Sequence, residues 1–235
     1  METASVKEMF NSDAREYLAA YEDPSQLRSF IFQERKRVVF EFFRGVSGVV
    51  LDVGCGPAVY TDGLVRAGCT IHGVDISPEM IALAKQGQFP KASFSIGSVE
   101  SLSFPSKTFD GILCVGVLEY LEQWQAAVSE MARVIKPGGR IVVTIPNGDS
   151  GLNRLDSALR QALKSVHRPG YRSPRLLEDV LARHGFQVEQ RRFHIFRLTF
   201  LNKVSPRLSL WIMRKMNFVS SRFLGANLVI RARKR

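Results

Sequence analysis

The sequence predicts an α/β fold: a doubly wound, mostly parallel sheet with helices on both faces. Three observations predict it. Short strand-like runs recur at 49–53, 70–75, 92–97, 108–115 and 140–146, and most are apolar or β-branched throughout, as strands buried on both faces are. Helical spacings separate these runs, which calls for parallel pairing through crossovers. The first run ends in Asp52-Val53-Gly54-Cys55-Gly56, a glycine turn feeding a helix expected from Val59 to Arg66. With 235 residues the chain is long enough for one full core, or for one domain with an appendage.

The elements follow in order. Residues 1–46 read as a helical segment, with a break at Asp23-Pro24-Ser25 and a second helix from about Gln26 to Phe43. Ser77-Pro78-Glu79 is a helix start, with Ser as N-cap and Pro at the first helical position. A helix from about Gln123 to Ile135 is expected to stop at a Lys136-Pro137-Gly138-Gly139 loop. Beyond Asn147 come a polar helix over 154–165, a helix ending at Arg183, and two last strands over 187–198 and 226–233. Between those strands lies an insert at about 199–222, whose Leu208, Trp211, Ile212 and Met216 share one helical face.

The second strand ends in Asp75, 21 positions after Gly54. A carboxylate about 20 residues past a glycine turn is placed to accept hydrogen bonds from ribose hydroxyls, so the unit reads as a nucleoside site. A dinucleotide fingerprint is disfavoured because its third glycine position falls on Val59, and no Gly-Lys-Ser/Thr follows for a phosphate loop.

With Asp52 two residues before Gly54, the stretch resembles the first motif of class I S-adenosylmethionine (SAM) methyltransferases, small-molecule or lipid-type branch. The resemblance implies a Rossmann-like domain over 47–235 with an antiparallel last strand, a helical lid over 1–46, and SAM as cofactor. It places Tyr21, Asp52, Gly54, Cys55, Gly56, Asp75, Ile76, Ser98, Val99 and Val115 around that cofactor. Gly97-Ser98-Val99-Glu100 is similar to the family's Gly-Asp-Ala-Glu stretch, with Ser98 where the family has Asp. Gly116-Val117-Leu118-Glu119-Tyr120 is similar to its Val-Leu-Glu-His turn, with Tyr for His. No metal-ligand spacing is visible, and the family's amino-methylating Asp/Asn-Pro-Pro motif does not follow the fourth strand, so DNA is not an expected substrate.

The expected chemistry is methyl transfer to an oxygen, nitrogen or carbon nucleophile. His167, Tyr171 and Glu119 are the candidate bases, and each also has an ordinary structural reading. His72, His184 and His194 read as structural.

Charge is unevenly divided. Residues 1–150 carry 14 basic and 18 acidic side chains, whereas residues 151–235 carry 19 and 4. The basic, apolar C-terminal third therefore suggests an anionic partner. A small, apolar or lipid-linked acceptor at a membrane surface is the first reading, with a cytoplasmic, peripheral location. An RNA methyltransferase that holds phosphate through the same residues is the alternative. A SAM-binding protein without catalysis is the third. Three cysteines without metal spacing read as reduced core residues, no span of about 18 apolar residues occurs, and the oligomeric state is open.

Overall fold

The computed structural model describes residues 3–22, 27–162, 170–195, 205–216 and 221–235. The elements run α1 (Thr3–Glu22), α2 (Leu27–Phe43), β1 (Val49–Val53), α3 (Thr61–Arg66), β2 (Thr70–Asp75), α4 (Pro78–Gln86), β3 (Ala92–Ile96) and β4 (Phe109–Val115). A 3-10 turn (Leu118–Tyr120), α5 (Trp124–Val134), β5 (Ile135–Pro146), α6 (Gly151–Ala162), α7 (Pro174–Arg183), β6 (Phe186–His194), α8 (Pro206–Met216) and β7 (Asn227–Lys234) complete them.

The sheet order is β3-β2-β1-β4-β5-β7-β6. Strands β1 to β5 pair in parallel, and β7 runs antiparallel to both β5 and β6. The chain winds from β1 towards β3, then returns to β4 on the other side of β1. In such a sheet a crevice opens at that reversal, beyond the carboxyl ends of β1 and β4.

Period-two alternation assigns the two faces. Leu51, Val53, Ile112, Cys114, Ile141, Val143 and Ile230 pack under α5 and α7, against Trp124, Val128, Met131, Leu177 and Leu181. Val50, Leu113, Val142 and Val229 face the other way, against Val38, Val39, Phe42 and Phe43 of α2 and Leu64 of α3. The strands are buried on both faces, which is why they read as apolar runs rather than alternating ones.

Two expectations need correction. The Lys136-Pro137-Gly138-Gly139 stretch is not a loop between helix and strand but the start of β5. Phe109 pairs with Ile135, the register then shifts, and Gly111 pairs with Arg140. Gly138 takes a φ of +80° there, so the extra residues are absorbed as an irregularity and pairing resumes. The helix after the glycine turn starts at Thr61, because residues 57–60 are spent on turns. Ser77 caps α4 as expected, its Oγ accepting from Met80 N at 3.1 Å. Parts of the insert, 199–204 and 217–220, lie outside the described residues, as does 196–198 of the strand expected to reach 198.

Phe109 is fully buried and meets Phe104 edge-on at 5.0 Å and His72 at 5.8 Å. Phe109→Ala is expected to cost about 3–5 kcal/mol through lost contact and a cavity. Urea unfolding would show this as a lower midpoint with an unchanged slope, and an unshifted midpoint would contradict the packing described.

Candidate active site

The glycine turn is fixed from below. Gly54 N and Cys55 N both donate to Val74 O, at 2.7 and 3.1 Å, tying the end of β1 to β2. Gly54 has a φ of +65°, and a Cβ there would lie 2.3 Å from Val117 Cγ2, so the loop after β4 closes directly onto the turn. Asp75 bridges the next step. Its Oδ2 accepts from Gly56 N and its Oδ1 from Ser77 N, both at 2.9 Å. Burial pushes the carboxyl of Asp75 up, while these backbone N–H groups pull it down. Each oxygen keeps a lone pair for a ligand hydroxyl.

Above this turn lies a cavity of about 430 Å³, within the range of small-molecule and cofactor sites. Gly54, Cys55, Gly56, Asp75, Ile76, Ser98, Val99 and Val115 all line it. Ser98 Oγ accepts from Glu100 N at 3.2 Å, so the hydroxyl is partly engaged in shaping its own turn.

Asp52 and Tyr21 lie behind the cavity wall rather than on it. Asp52 is buried, and its Oδ2 has no hydrogen-bond partner. Burial, and then the charge of Asp75, push its carboxyl up to about 8, so it stands protonated at neutral pH. Tyr21 is buried, its hydroxyl 3.4 Å from that of Tyr17, which does line the cavity.

The candidate bases divide. Glu119 sits at the 3-10 turn after β4, half-buried and behind the cavity lining rather than on it, with Oε2 shielded and unpartnered. A Cβ on Gly116, which lines the cavity, would lie 3.8 Å from Glu119 Oε1 and 3.2 Å from Arg35 Nη1. Burial is the largest influence on Glu119 and raises its carboxyl to about 6, against the lowering effect of its own backbone N–H, Arg35 and Arg172. Tyr171 does not line the cavity, but its segment docks on the same loop. Gly170 N donates to Glu119 O at 2.8 Å and Arg172 Nη2 to Leu121 O at 2.7 Å. His167 lies outside the described residues.

Sequence reasoning missed Arg35. Its Nη2 donates to Tyr21 Oη at 3.0 Å and Tyr17 Oη at 3.3 Å, its guanidinium lies 4.9 Å from the Phe32 ring centroid, and its buried Nε has no partner. In sequence it sits inside Gln33-Glu34-Arg35-Lys36-Arg37, which looks like an ordinary solvated charge run. The cavity also takes Val6, Phe10 and Tyr17 from α1. A signal for these existed: positions 6, 10, 14, 17 and 21 form one helical stripe.

A cavity at the switch point, a glycine turn and a carboxylate closing the second strand define a nucleoside-binding α/β protein. Residues 51–143 match a family model described as a methyltransferase domain. That match supports a class I SAM-dependent methyltransferase domain over this part of the chain. It is 35% identical over 145 residues to the demethylmenaquinone methyltransferase of Tropheryma whipplei, covering 60% of this chain and 59% of that one. It is 30% identical over 118 residues to the ubiquinone biosynthesis O-methyltransferase of Xanthomonas oryzae, covering 48% and 47%. The matches thus span about half the length of these curated relatives. Among solved structures, magnesium protoporphyrin IX methyltransferase from Synechocystis PCC 6803, with bound SAH, superposes with a TM-score of 0.74 over 100% of both chains at 19% identity, a likeness of fold.

The family's cofactor is SAM, and the residues present fit it. Asp75 offers acceptors for ribose hydroxyls, and Ile76 and Val99 offer apolar contact for a purine.

Two predictions follow from this geometry. Asp75→Ala is expected to weaken SAM binding by about 10- to 150-fold in calorimetric titration, the equivalent of roughly 1.5–3 kcal/mol for a hydrogen bond to a charged group. Equal affinity would remove Asp75 from the site. The second concerns Asp52. A carboxyl raised on folding contributes stability below its unfolded pKa of about 3.9, and that contribution is lost as pH rises through about 8. Asp52→Asn should therefore flatten the fall in urea midpoint between pH 5 and pH 8, and an identical slope in both proteins would contradict its burial as a protonated acid.

Proposed function

We propose that the protein transfers the methyl group of SAM to an oxygen, nitrogen or carbon nucleophile on a small, largely apolar or lipid-linked acceptor bearing a hydroxylated ring. One observation carries the reading: the Glu119 carboxylate, shielded and unpartnered at Oε2, stands beside Gly116, a cavity-lining position with no side chain. When bound, SAM supplies an electrophilic methyl on a sulfonium, so the protein's task is to orient, to exclude water and to manage a proton. A carboxylate held at about 6 is a base matched to neutral pH, and Arg35 beside it favours a developing anion. Val6, Phe10, Val59, Val117 and Leu121 give the cavity an apolar lining that suits a ring rather than a sugar or phosphate. The names of the relatives, which are quinone and porphyrin methyltransferases, support an acceptor of that class.

Such acceptors partition into lipid, so the reading brings the protein to a membrane surface. No helix among the described residues is long and apolar enough to cross a membrane, so contact would be peripheral.

The test is turnover with a naphthohydroquinone as acceptor and methyl-labelled SAM. Activity should rise with pH through about 6 as Glu119 loses its proton. Glu119→Gln should lower kcat by about 10²-fold or more, remove that acid limb, and leave SAM affinity nearly unchanged. Full turnover in Glu119→Gln would reject it as base and pass the role to Tyr171 or His167, which Tyr171→Phe and His167→Ala would then separate.

A further inference from the structure

The C-terminal third exposes several large apolar side chains. On α8, Met213 turns inward at 1% exposure, and this helix packs on α2. Trp211 and Leu208 point the other way, 59% and 46% exposed. Along the helix Arg207, Trp211 and Lys215 form one row at i, i+4 and i+8, and all three are exposed. The tryptophan is thus flanked above and below by cations.

A second apolar tip lies at the turn before β7, where Phe223 is 72% and Leu224 41% exposed. Floppiness does not explain it, because the turn is tightly built. Asn147 Nδ2 donates to Arg222 O and Gly225 O at 2.7 and 2.8 Å, Gly151 N donates to Phe223 O at 2.9 Å, and Arg222 pairs with Asp149. The backbone is stapled so that two large hydrophobes face solvent. One turn into the adjoining α6, Leu155 is exposed as well. From 190 to 235 the chain holds twelve Lys or Arg and no Asp or Glu.

We propose that the outer face of α8 and the Phe223-Leu224 turn form a docking surface for an anionic lipid bilayer. The inference rests on the lipid-linked acceptor reading only for its purpose, and its evidence is independent of that reading. Charge complementarity selects the occupant. Arg207 and Lys215 reach phosphate while Trp211, Leu208, Phe223 and Leu224 enter the headgroup boundary, where aromatic rings with a polar edge are favoured. Phosphate on RNA would satisfy the cations but would leave Leu208, Phe223 and Leu224 in water.

The chain has two tryptophans, and Trp124 is buried at 4% exposure, so a change in intrinsic fluorescence on adding vesicles reports Trp211. The full chain should co-sediment with phosphatidylglycerol vesicles at low salt, with a blue shift in emission, and bind phosphatidylcholine vesicles far more weakly. Raising salt to about 0.5 M should weaken the binding, since the charges act through solvent. Phe223→Ala with Leu208→Ala should reduce vesicle affinity at least tenfold while leaving SAM titration and thermal midpoint unchanged. Arg207→Gln with Lys215→Gln should abolish the preference for the anionic lipid.

Equal vesicle binding by the apolar double variant would overturn the proposal. So would no binding of the parent to phosphatidylglycerol, or tight binding to poly(U) without any to vesicles. A parent that docks on vesicles yet binds no SAM would leave docking standing and reject the proposed activity, so the two failures are distinguishable.

Discussion

Both oxygens of Asp75 are engaged by backbone before any ligand arrives, one by the glycine turn after β1 and one by the start of α4. Three separate parts of the site meet at that carboxylate. Gly56 is held in the left-handed conformation that opens the turn, Ser77 is fixed where its hydroxyl caps α4, and the acid itself is presented at the end of β2. The parallel pairing of β1 with β2 sets the distance, because Val53 is in register with Val74, one residue before Asp75. A shift of register by one residue would turn Asp75 to the opposite face and detach all three. The site is therefore a consequence of sheet register, and the helices above it add walls to a frame already set.

Behind those walls lie polar atoms that the protein leaves unsatisfied. Asp52 Oδ2, Arg35 Nε, Glu119 Oε2 and both ring nitrogens of His194 are buried without partners. Burial is the main reason, with Arg35, Arg192 and Arg37 adding to it, that His194 is pushed down to about 3 and stays neutral. Isolated polar groups of this kind cost stability, and most folds avoid them. Asp52, Glu119 and His194 lie at the carboxyl ends of β1, β4 and β6, and Arg35 and Glu119 flank the same bare glycine. His194, which reads as structural in the sequence, belongs with them by location: it pairs with Asn227 at the ligand end of the sheet.

The fold was legible because strands buried on both faces carry their signal in composition alone, and because Ser77-Pro78 and the glycines after β1 mark boundaries chemically. The eight cavity-lining residues expected for the cofactor share a second kind of legibility: they sit at strand ends, where position in sequence and position in space coincide. Arg35 and Tyr17 were harder. Both belong to helices laid over the sheet: Tyr17 shows only as one member of an apolar stripe on α1, and nothing local tells Arg35 from the solvated charges around it. The Lys136–Gly139 stretch failed for the opposite reason. Pro and Gly are strong loop signals, yet tertiary pairing with β4 kept the chain extended through them. The orientation of α8 was legible only as an amphipathic stripe, since which face turns inward depends on α2.

The central claim is that this cavity delivers a methyl group from SAM to a small apolar acceptor. The most direct measurement is incubation of the full chain with methyl-labelled SAM and a total membrane extract, followed by partition of the label. The account predicts label in the organic phase, in a species of small-molecule mass, dependent on active protein. Label confined to RNA or protein, or SAM left intact while it binds with ordinary affinity, would contradict it.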